Sequence, residues 1–367
     1  MRHLITLLLL AASLSASAAN PFDNPDTIVV ARDGTGQFRT VGEAIEVCRA
    51  FMDYHKVIFI KRGVYKEKLI IPTHLENIEL LGEDAEHTVI TYDDHANILM
   101  ESSQLSTLRS ARSDAFARKN SQPSTLNSQL KLGTFRTYTL KVEGSDITLR
   151  NLTIENNAAR LGQAVALHIE GDRVSVVGCR LIGHQDTVYT GKARSRVWFQ
   201  DCYICGTTDF IFGPATAWFE RCHIHSLADS YITAASTPQD VDYGYVFSHC
   251  RLTAAEGVSR VYLGRPWRPY AYTLFINCEL GSHIRPEGWE NWRNPDNELT
   301  ARYYEYGNTG PGASPQPLPK GKGAKADAAS QRVSWSHQLT KREAEAITPA
   351  TVFRTATDWL PAGANDL

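Results

Sequence analysis

Five cysteines hold the same place in five copies of one pattern, and that repeat limits the fold more than any other feature of the chain. Val174-Ser-Val-Val-Gly-Cys179-Arg-Leu181 is matched by Val197-Trp-Phe-Gln-Asp-Cys202-Tyr-Ile204 and by Ala217-Trp-Phe-Glu-Arg-Cys222-His-Ile224. It returns as Tyr245-Val-Phe-Ser-His-Cys250-Arg-Leu252 and Thr273-Leu-Phe-Ile-Asn-Cys278-Glu-Leu280. An earlier copy, Ile147-Thr-Leu-Arg-Asn-Leu152-Thr-Ile154, has leucine in the cysteine position. From Leu152 onward the marked positions are 27, 23, 20, 28 and 28 residues apart. A unit of that length, repeated in series, buries its apolar face against its neighbours, which is the plan of a solenoid.

Within each copy apolar residues alternate with polar ones and β-branched and aromatic types dominate, so the unit is a strand. Gly, Asp, Asn or His follows each unit and supplies the turns. Strands stacked in one direction make a parallel β-helix, so the expected fold is an all-β solenoid with the marked side chain pointing inward. The cysteines then read as core thiols, not disulfides. Seven cysteines is an odd number, and Cys202-x-x-Cys205 has no second pair at zinc spacing. Residues 27–30, 57–60, 68–71 and 78–81 are expected as strands of the first coils. Residues 40–51 read as a helix that caps the open end, with Val41, Ala44, Ile45, Val47 and Cys48 on its apolar side. Residues 340–347 read as a short helix, with Trp335 and Trp359 packing a C-terminal tail back on the coils. Two stretches break the pattern: 101–131, rich in Ser, Gln, Leu and Arg, reads as a mobile insert, and 311–331 as a long loop.

Composition removes several classes. Hydrophobic residues at 43% and charged residues at 21% exclude a disordered or collagen-like chain. A net charge of -2 leaves no basic excess for nucleic acid, and no apolar run is long enough to span a membrane. The start resembles a secretory leader: Met1-Arg2-His3, an apolar stretch over 4–12, then small residues to Ala19. The expectation is a leader over 1–19 and one domain over 20–367, exported to the periplasm or beyond and monomeric.

Counting from the cysteine position brings out a second regularity. Asp186 lies seven residues after Cys179, and Asp209 seven after Cys202. Equal offsets stack in a solenoid, and two carboxylates one strand spacing apart push one pKa up, so one keeps a proton while the other stays ionised. Asp229, seven residues after Cys222, shares the offset. Aspartate is also common in turns, so register alone does not choose two of the three.

The surrounding residues do choose. Asp186 sits in Gly183-His-Gln-Asp-Thr-Val-Tyr189, Asp209 in Gly206-Thr-Thr-Asp-Phe-Ile-Phe-Gly213, and Arg265 in Tyr262-Leu-Gly-Arg-Pro-Trp267. With Gln163-Ala-Val-Ala-Leu167, Gly63-Val-Tyr-Lys-Glu67, Tyr231-Ile-Thr-Ala-Ala-Ser-Thr237, Tyr304-Glu-Tyr-Gly-Asn308 and Gly310-Pro-Gly-Ala313, the chain resembles the pectin methylesterases, or pectinesterase family, over most of its length. The resemblance implies a right-handed parallel β-helix that demethylates galacturonate esters. It implies Asp209 as nucleophile, Asp186 as general acid and then base, Gln163 and Gln185 as the oxyanion site, and Arg265 as the partner of the nucleophile. It places Trp267 against the sugar and Thr139, in Arg136-Thr-Tyr-Thr139, at a substrate contact; the insert just before Thr139 departs from the family pattern. Asp229 matches no catalytic position.

The chemistry agrees with those roles. A carboxylate attacks the ester carbonyl, amide N–H groups hold the developing oxyanion, and a neighbouring carboxylic acid protonates the departing methanol. No metal or other cofactor is called for; His184, His223 and His225 have no ligand spacing to a carboxylate cluster. Phe210, Tyr231 and Trp292 are further aromatics of the expected groove. Methylated pectin is the expected partner. Two other readings compete: a β-helical polygalacturonase or pectate lyase acting on the glycosidic bond, and a non-catalytic polysaccharide-binding solenoid. The glutamines beside the aspartates favour acyl chemistry over the first, and the full set of motifs argues against the second.

Overall fold

A computed structural model describes residues 20–100, 130–314, 332–354, 359–362 and 364. The leader-like residues 1–19, the insert over 101–129 and the loop over 315–331 lie outside the described residues.

The chain winds as a right-handed parallel β-helix of three sheets with 11, 8 and 7 strands, and every pairing within them is parallel. One coil shows the plan: Val174–Val177 in the first sheet, Arg180–Ile182 in the second and Val188–Thr190 in the third. The bend between the first two sheets is made by one residue in the left-handed region. It is the residue just before the cysteine position in each coil: Asn151, Gly178, Asp201, Arg221, His249, Asn277 and finally Gly307, with φ between 50° and 63°. Asn, Asp and Gly tolerate that conformation best, which is why the position is rich in them.

The cysteines point inward. All seven are free and buried. Cys179, Cys202, Cys250 and Cys278 each donate Sγ–H to a backbone carbonyl one coil back, at 3.3–3.4 Å. Beside them Phe199, Phe219, Phe247 and Phe275 pair in register and stack, with centroids 4.3–4.5 Å apart and planes within 10°. Repetition at one register thus builds the core directly as columns of like side chains.

The early strands fall where expected, at Ile28–Val30, Lys56–Ile60, Leu69–Ile71 and Ile78–Gly82. The N-terminal helix is shorter than the pattern suggested. It spans Val41–Glu46 with a Thr40–Glu43 capping box and buries Val41, Ala44 and Ile45. It stops because the chain must turn into the first coil: Phe51 takes φ 52° and its N–H bonds to His74 O. In the tail, Lys341–Glu345 and Pro349–Val352 lie against the outer face of the first sheet, with Phe353 on Trp198. Trp335 packs on Tyr303 and Trp359 on Phe353.

One boundary needs correction. Leu130 and Lys131 fall within the expected insert, but they lie at its root: Met100 N–H bonds Leu130 O and Leu132 N–H bonds Ile98 O, both at 2.8 Å. Residues 311–314, the start of the expected loop, are turn and coil, held to the solenoid where Gly312 N–H bonds Leu280 O and Ala313 packs on the core.

Candidate active site

The site lies on the outer face of the third sheet. Asp186 and Asp209 stand two residues before Val188 and Ile211, which pair directly, so the two aspartates are neighbours in adjacent coils. Asp186 N–H bonds Thr208 O at 3.1 Å, and Asp209 N–H bonds Tyr231 O at 2.8 Å. Asp229 drops out of this column. Ile211 pairs with Thr233, so the residue stacked on Asp209 is Tyr231, nine residues after Cys222. The turn of that coil is two residues longer, and Asp229 serves it by accepting the N–H groups of Ser259 and Arg260 at 2.8 and 2.9 Å.

Both stacked aspartates sit in the left-handed region, Asp186 at φ 68° and Asp209 at φ 50°. Strained backbone of this kind gathers at sites where a side chain must be aimed. Arg265 grips Asp209 with both arms of its fork, Nε to Oδ1 at 3.0 Å and an Nη to Oδ2 at 2.6 Å. Burial raises the Asp209 carboxyl and Arg265 draws it back. Asp186 is buried too; burial first and the Asp209 charge second push its pKa well up, with the Arg265 charge opposing. The two carboxyls therefore differ: burial and the neighbouring charge push Asp186 well up, while the guanidinium fork draws Asp209 back down.

A cleft of about 220 Å³ opens over the pair, with Gln163 and Gln185 on its wall. Ala164 N–H bonds Gln185 O at 3.0 Å, which sets the two glutamines side by side. The Gln163 carbonyl is pinned by Ala96 N–H at 2.8 Å. Trp267 lines the same cleft, edge-on to Phe212 at 5.8 Å, and Trp292 stands at its rim against Arg265.

Two expected contacts are elsewhere. Thr139 is fully buried and donates its hydroxyl to Glu155 O at 2.8 Å; the wall it was expected to form is made by Thr134 and Phe135 of a short 3₁₀ turn. Phe210 is also fully buried, because both Phe210 and Ile211 turn into the core after the left-handed Asp209. The next outward residue, Phe212, takes the cleft position and stacks on Tyr189 at 4.6 Å. Tyr231 lies over the Arg265 guanidinium at 3.9 Å. His223 and His225 share the Thr253 hydroxyl on the second sheet, at 2.6 and 2.7 Å, and do not reach the cleft. Sequence reasoning missed Thr134, Phe135 and Phe212 in the cleft; for Phe212 a signal exists, since it lies three residues past the stacked Asp209.

Two neighbouring carboxyls, one of them clasped by an arginine, and two glutamines gather at one cleft of a parallel β-helix, an arrangement suited to the acyl transfer of a carboxylic ester hydrolase. The Pectinesterase family model matches the chain over residues 27–122 and 118–355, and the chain belongs to the pectinesterase family. The two matches meet inside the insert. Pectinesterase 31 of Arabidopsis thaliana is 33% identical over 86% of this chain and 88% of its own length. A probable pectinesterase/pectinesterase inhibitor of Brassica napus is 32% identical over 86% of this chain but only 51% of its own length. Among solved structures, the pectin methylesterase from carrot superposes with a TM-score of 0.72 at 29% identity, covering 90% of this chain and 93% of that one. Pectin methylesterase PemA from Erwinia chrysanthemi gives 0.70 at 27% identity, covering 92% and 99%. Membership makes this chain an ester hydrolase that demethylates pectin, and the readings as a polygalacturonase, a pectate lyase or a non-catalytic solenoid fall away. Among the described residues no helix is long and apolar enough to cross a membrane.

Proposed function

We propose that Asp209 and Asp186 divide the hydrolysis of galacturonate methyl esters between them. Asp209 attacks the ester carbonyl carbon, and the electron pair moves to the carbonyl oxygen, where the side-chain amides of Gln163 and Gln185 hold it. As the tetrahedral centre collapses, the bond to the methoxy group breaks and the Asp186 proton goes to that oxygen, releasing methanol. The galacturonate acyl carbon is then joined to the Asp209 carboxylate as a mixed anhydride. Asp186, now ionised, takes a proton from water; the hydroxide attacks the acyl carbon, and Asp209 leaves as carboxylate. The products are one methanol and one galacturonate carboxyl, and both aspartates return to their starting states.

The observation that carries this reading is the division of the pair: the buried Asp186 favours its proton and the neighbouring Asp209 is clasped by Arg265. A related pectin methylesterase, 27% identical, has been solved with a hexasaccharide. The same sugar class suits this cleft, where Trp267, Phe212 and Phe135 offer flat apolar faces. The enzyme is proposed to act as an exported monomer, with residues 1–19 as the leader and no metal or other cofactor.

Defined methylated oligogalacturonates test the reaction. Methanol release at constant chain length is the expected result; shortening of the chain, or new double bonds, overturns it. Gln185→Ala is expected to lower kcat by about 10²–10³ with little change in KM, because an oxyanion donor acts mainly in the transition state. Normal turnover in that variant removes Gln185 from the mechanism.

A further inference from the structure

Tyr231 and Trp292 enter the sequence reading as aromatics of the expected groove, and in the structure both rings lie against Arg265. The Arg265 guanidinium carbon lies 3.9 Å from the centroid of Tyr231 and 3.9 Å from the centroid of Trp292. Two rings at that distance fit only on opposite faces of the guanidinium. The stack continues: Tyr231 lies parallel to Tyr262, with centroids 5.3 Å apart and planes 12° apart, and the Arg285 guanidinium carbon lies 4.7 Å from the Tyr262 centroid. The order is therefore Trp292, Arg265, Tyr231, Tyr262, with Arg285 against Tyr262.

Each layer has its own support. Tyr231 and Tyr262 are register partners in adjacent coils, so the repeat itself stacks them. Arg285 is held by Glu287 at 3.1 and 3.3 Å. Trp292 and Arg293 both take left-handed backbone, at φ 60° and 55°, and Glu290 accepts both of their N–H groups, at 2.9 and 3.1 Å. Glu290 N–H in turn bonds Gly264 O, next to Arg265. A loop strained at two successive bulky residues and tied back at both ends places one indole on one guanidinium.

We propose that Tyr231 and Trp292 are positioning residues that clamp the Arg265 guanidinium in the plane where its fork meets Asp209. The inference rests on Asp209 being the nucleophile. A guanidinium is weakly hydrated on its faces and strongly hydrogen-bonding at its edge, so two aromatic faces restrain it while leaving every edge donor free. Without one face, Arg265 is free to swing into the open cleft, and the Asp209 carboxylate loses both its aim and its ionic partner.

The expected consequences differ from those of a sugar contact. Tyr231→Leu keeps apolar bulk and removes the π-face. It should lower kcat about tenfold and change KM by less than about twofold. The groups that face Asp209 are Asp186 from the adjacent coil, Arg265, Glu290 on the Trp292 loop and Tyr303 from the interior, and only the hold on Arg265 changes. Burial raises the Asp209 carboxyl and Arg265 draws it down, so a loosened Arg265 should move the acidic limb of kcat/KM to higher pH. Tyr231→Phe restores the face and should recover both kcat and the limb. Trp292→Ala removes the other face from a surface loop, and decides the matter if Tyr231→Leu fails to fold. The Arg265 side-chain N–H resonances supply a readout independent of turnover: ring currents from two stacked faces should shift them upfield in the parent, and Tyr231→Leu should reduce that shift. A parent that releases no methanol defeats the reaction proposed above, while these resonances still judge the stack. A raised KM with unchanged kcat and an unmoved limb makes Tyr231 a sugar contact and overturns the proposal; so does a variant that matches the parent in every measurement.

Discussion

Asp209→Asn is expected to lower methanol release by about 10⁴ or more, because an amide neither attacks the ester at a useful rate nor leaves as a stable carboxylate. Binding of a methylated oligogalacturonate, measured by calorimetry, should persist, since Gln163, Gln185, Trp267 and Phe212 still line the cleft. Stability should fall at the same time. Arg265 keeps about a fifth of its side chain exposed and Asp209 less than a tenth, so the pair is largely but not fully dry. Removing one charge from a fully buried pair costs about 3–5 kcal/mol; with the remaining exposure and one amide oxygen still accepting, about 1–3 kcal/mol is expected here. Methanol release within tenfold of the parent would take the nucleophile's role from Asp209.

How legible this site was in the sequence depends on which part of the coil carried it. Where one coil copies the last, register could be read from spacing. Asp186 and Asp209 share an offset from Cys179 and Cys202 because those two coils have turns of equal length, and Val188 pairs with Ile211 as that requires. Asp229 has the same offset, yet its turn is two residues longer before the next strand pairs, and spacing from the cysteine cannot see a longer turn downstream. The direction of a side chain beside strained backbone was equally hidden. Strict alternation would send Phe210 inward and Ile211 outward. The left-handed Asp209 resets the phase, so both turn inward and the cleft receives Phe212. Thr139 was misplaced for a related reason: the adjoining turn at Thr134–Arg136 follows the insert, where the repeat gives no register to count from.

The same geometry explains why a site of like charges is compatible with a stable solenoid. The columns of Cys and Phe fix the coil spacing throughout the interior, so the aspartates are brought together by packing that takes place elsewhere. The cost of burying two carboxyls side by side is carried by the core, and Arg265 offsets part of it on one side only. That asymmetry makes the two carboxylates chemically different although the repeat makes them positionally alike.

Asp186→Asn should separate function from stability in the opposite sense to Asp209→Asn. Asparagine fits the left-handed backbone at φ 68° and keeps the side-chain shape, but cannot donate or accept the catalytic proton. Methanol release should fall by about 10²–10⁴, the usual scale for loss of a general acid–base. Among the described residues no donor is hydrogen-bonded to the Asp186 carboxyl, so little favourable contact is lost. What is lost is a penalty. The folded-state pKa is raised by burial and by the Asp209 charge, so the folded chain holds this proton more tightly than the unfolded chain does. Below the ordinary aspartate range both states are protonated and the penalty is absent; it grows as pH rises above that range, where the unfolded chain ionises freely and the folded chain does not. The variant should therefore exceed the parent in stability near pH 7 by on the order of 1 kcal/mol, or about 2 °C in Tm for a chain of this size. The advantage should shrink toward zero as pH falls into the ordinary aspartate range near 4. An aspartate that served only its turn would behave the other way, with Asn sparing activity and lowering Tm at every pH. A less stable but active Asp186→Asn enzyme would remove both the acid–base role of Asp186 and the like-charge pairing behind it.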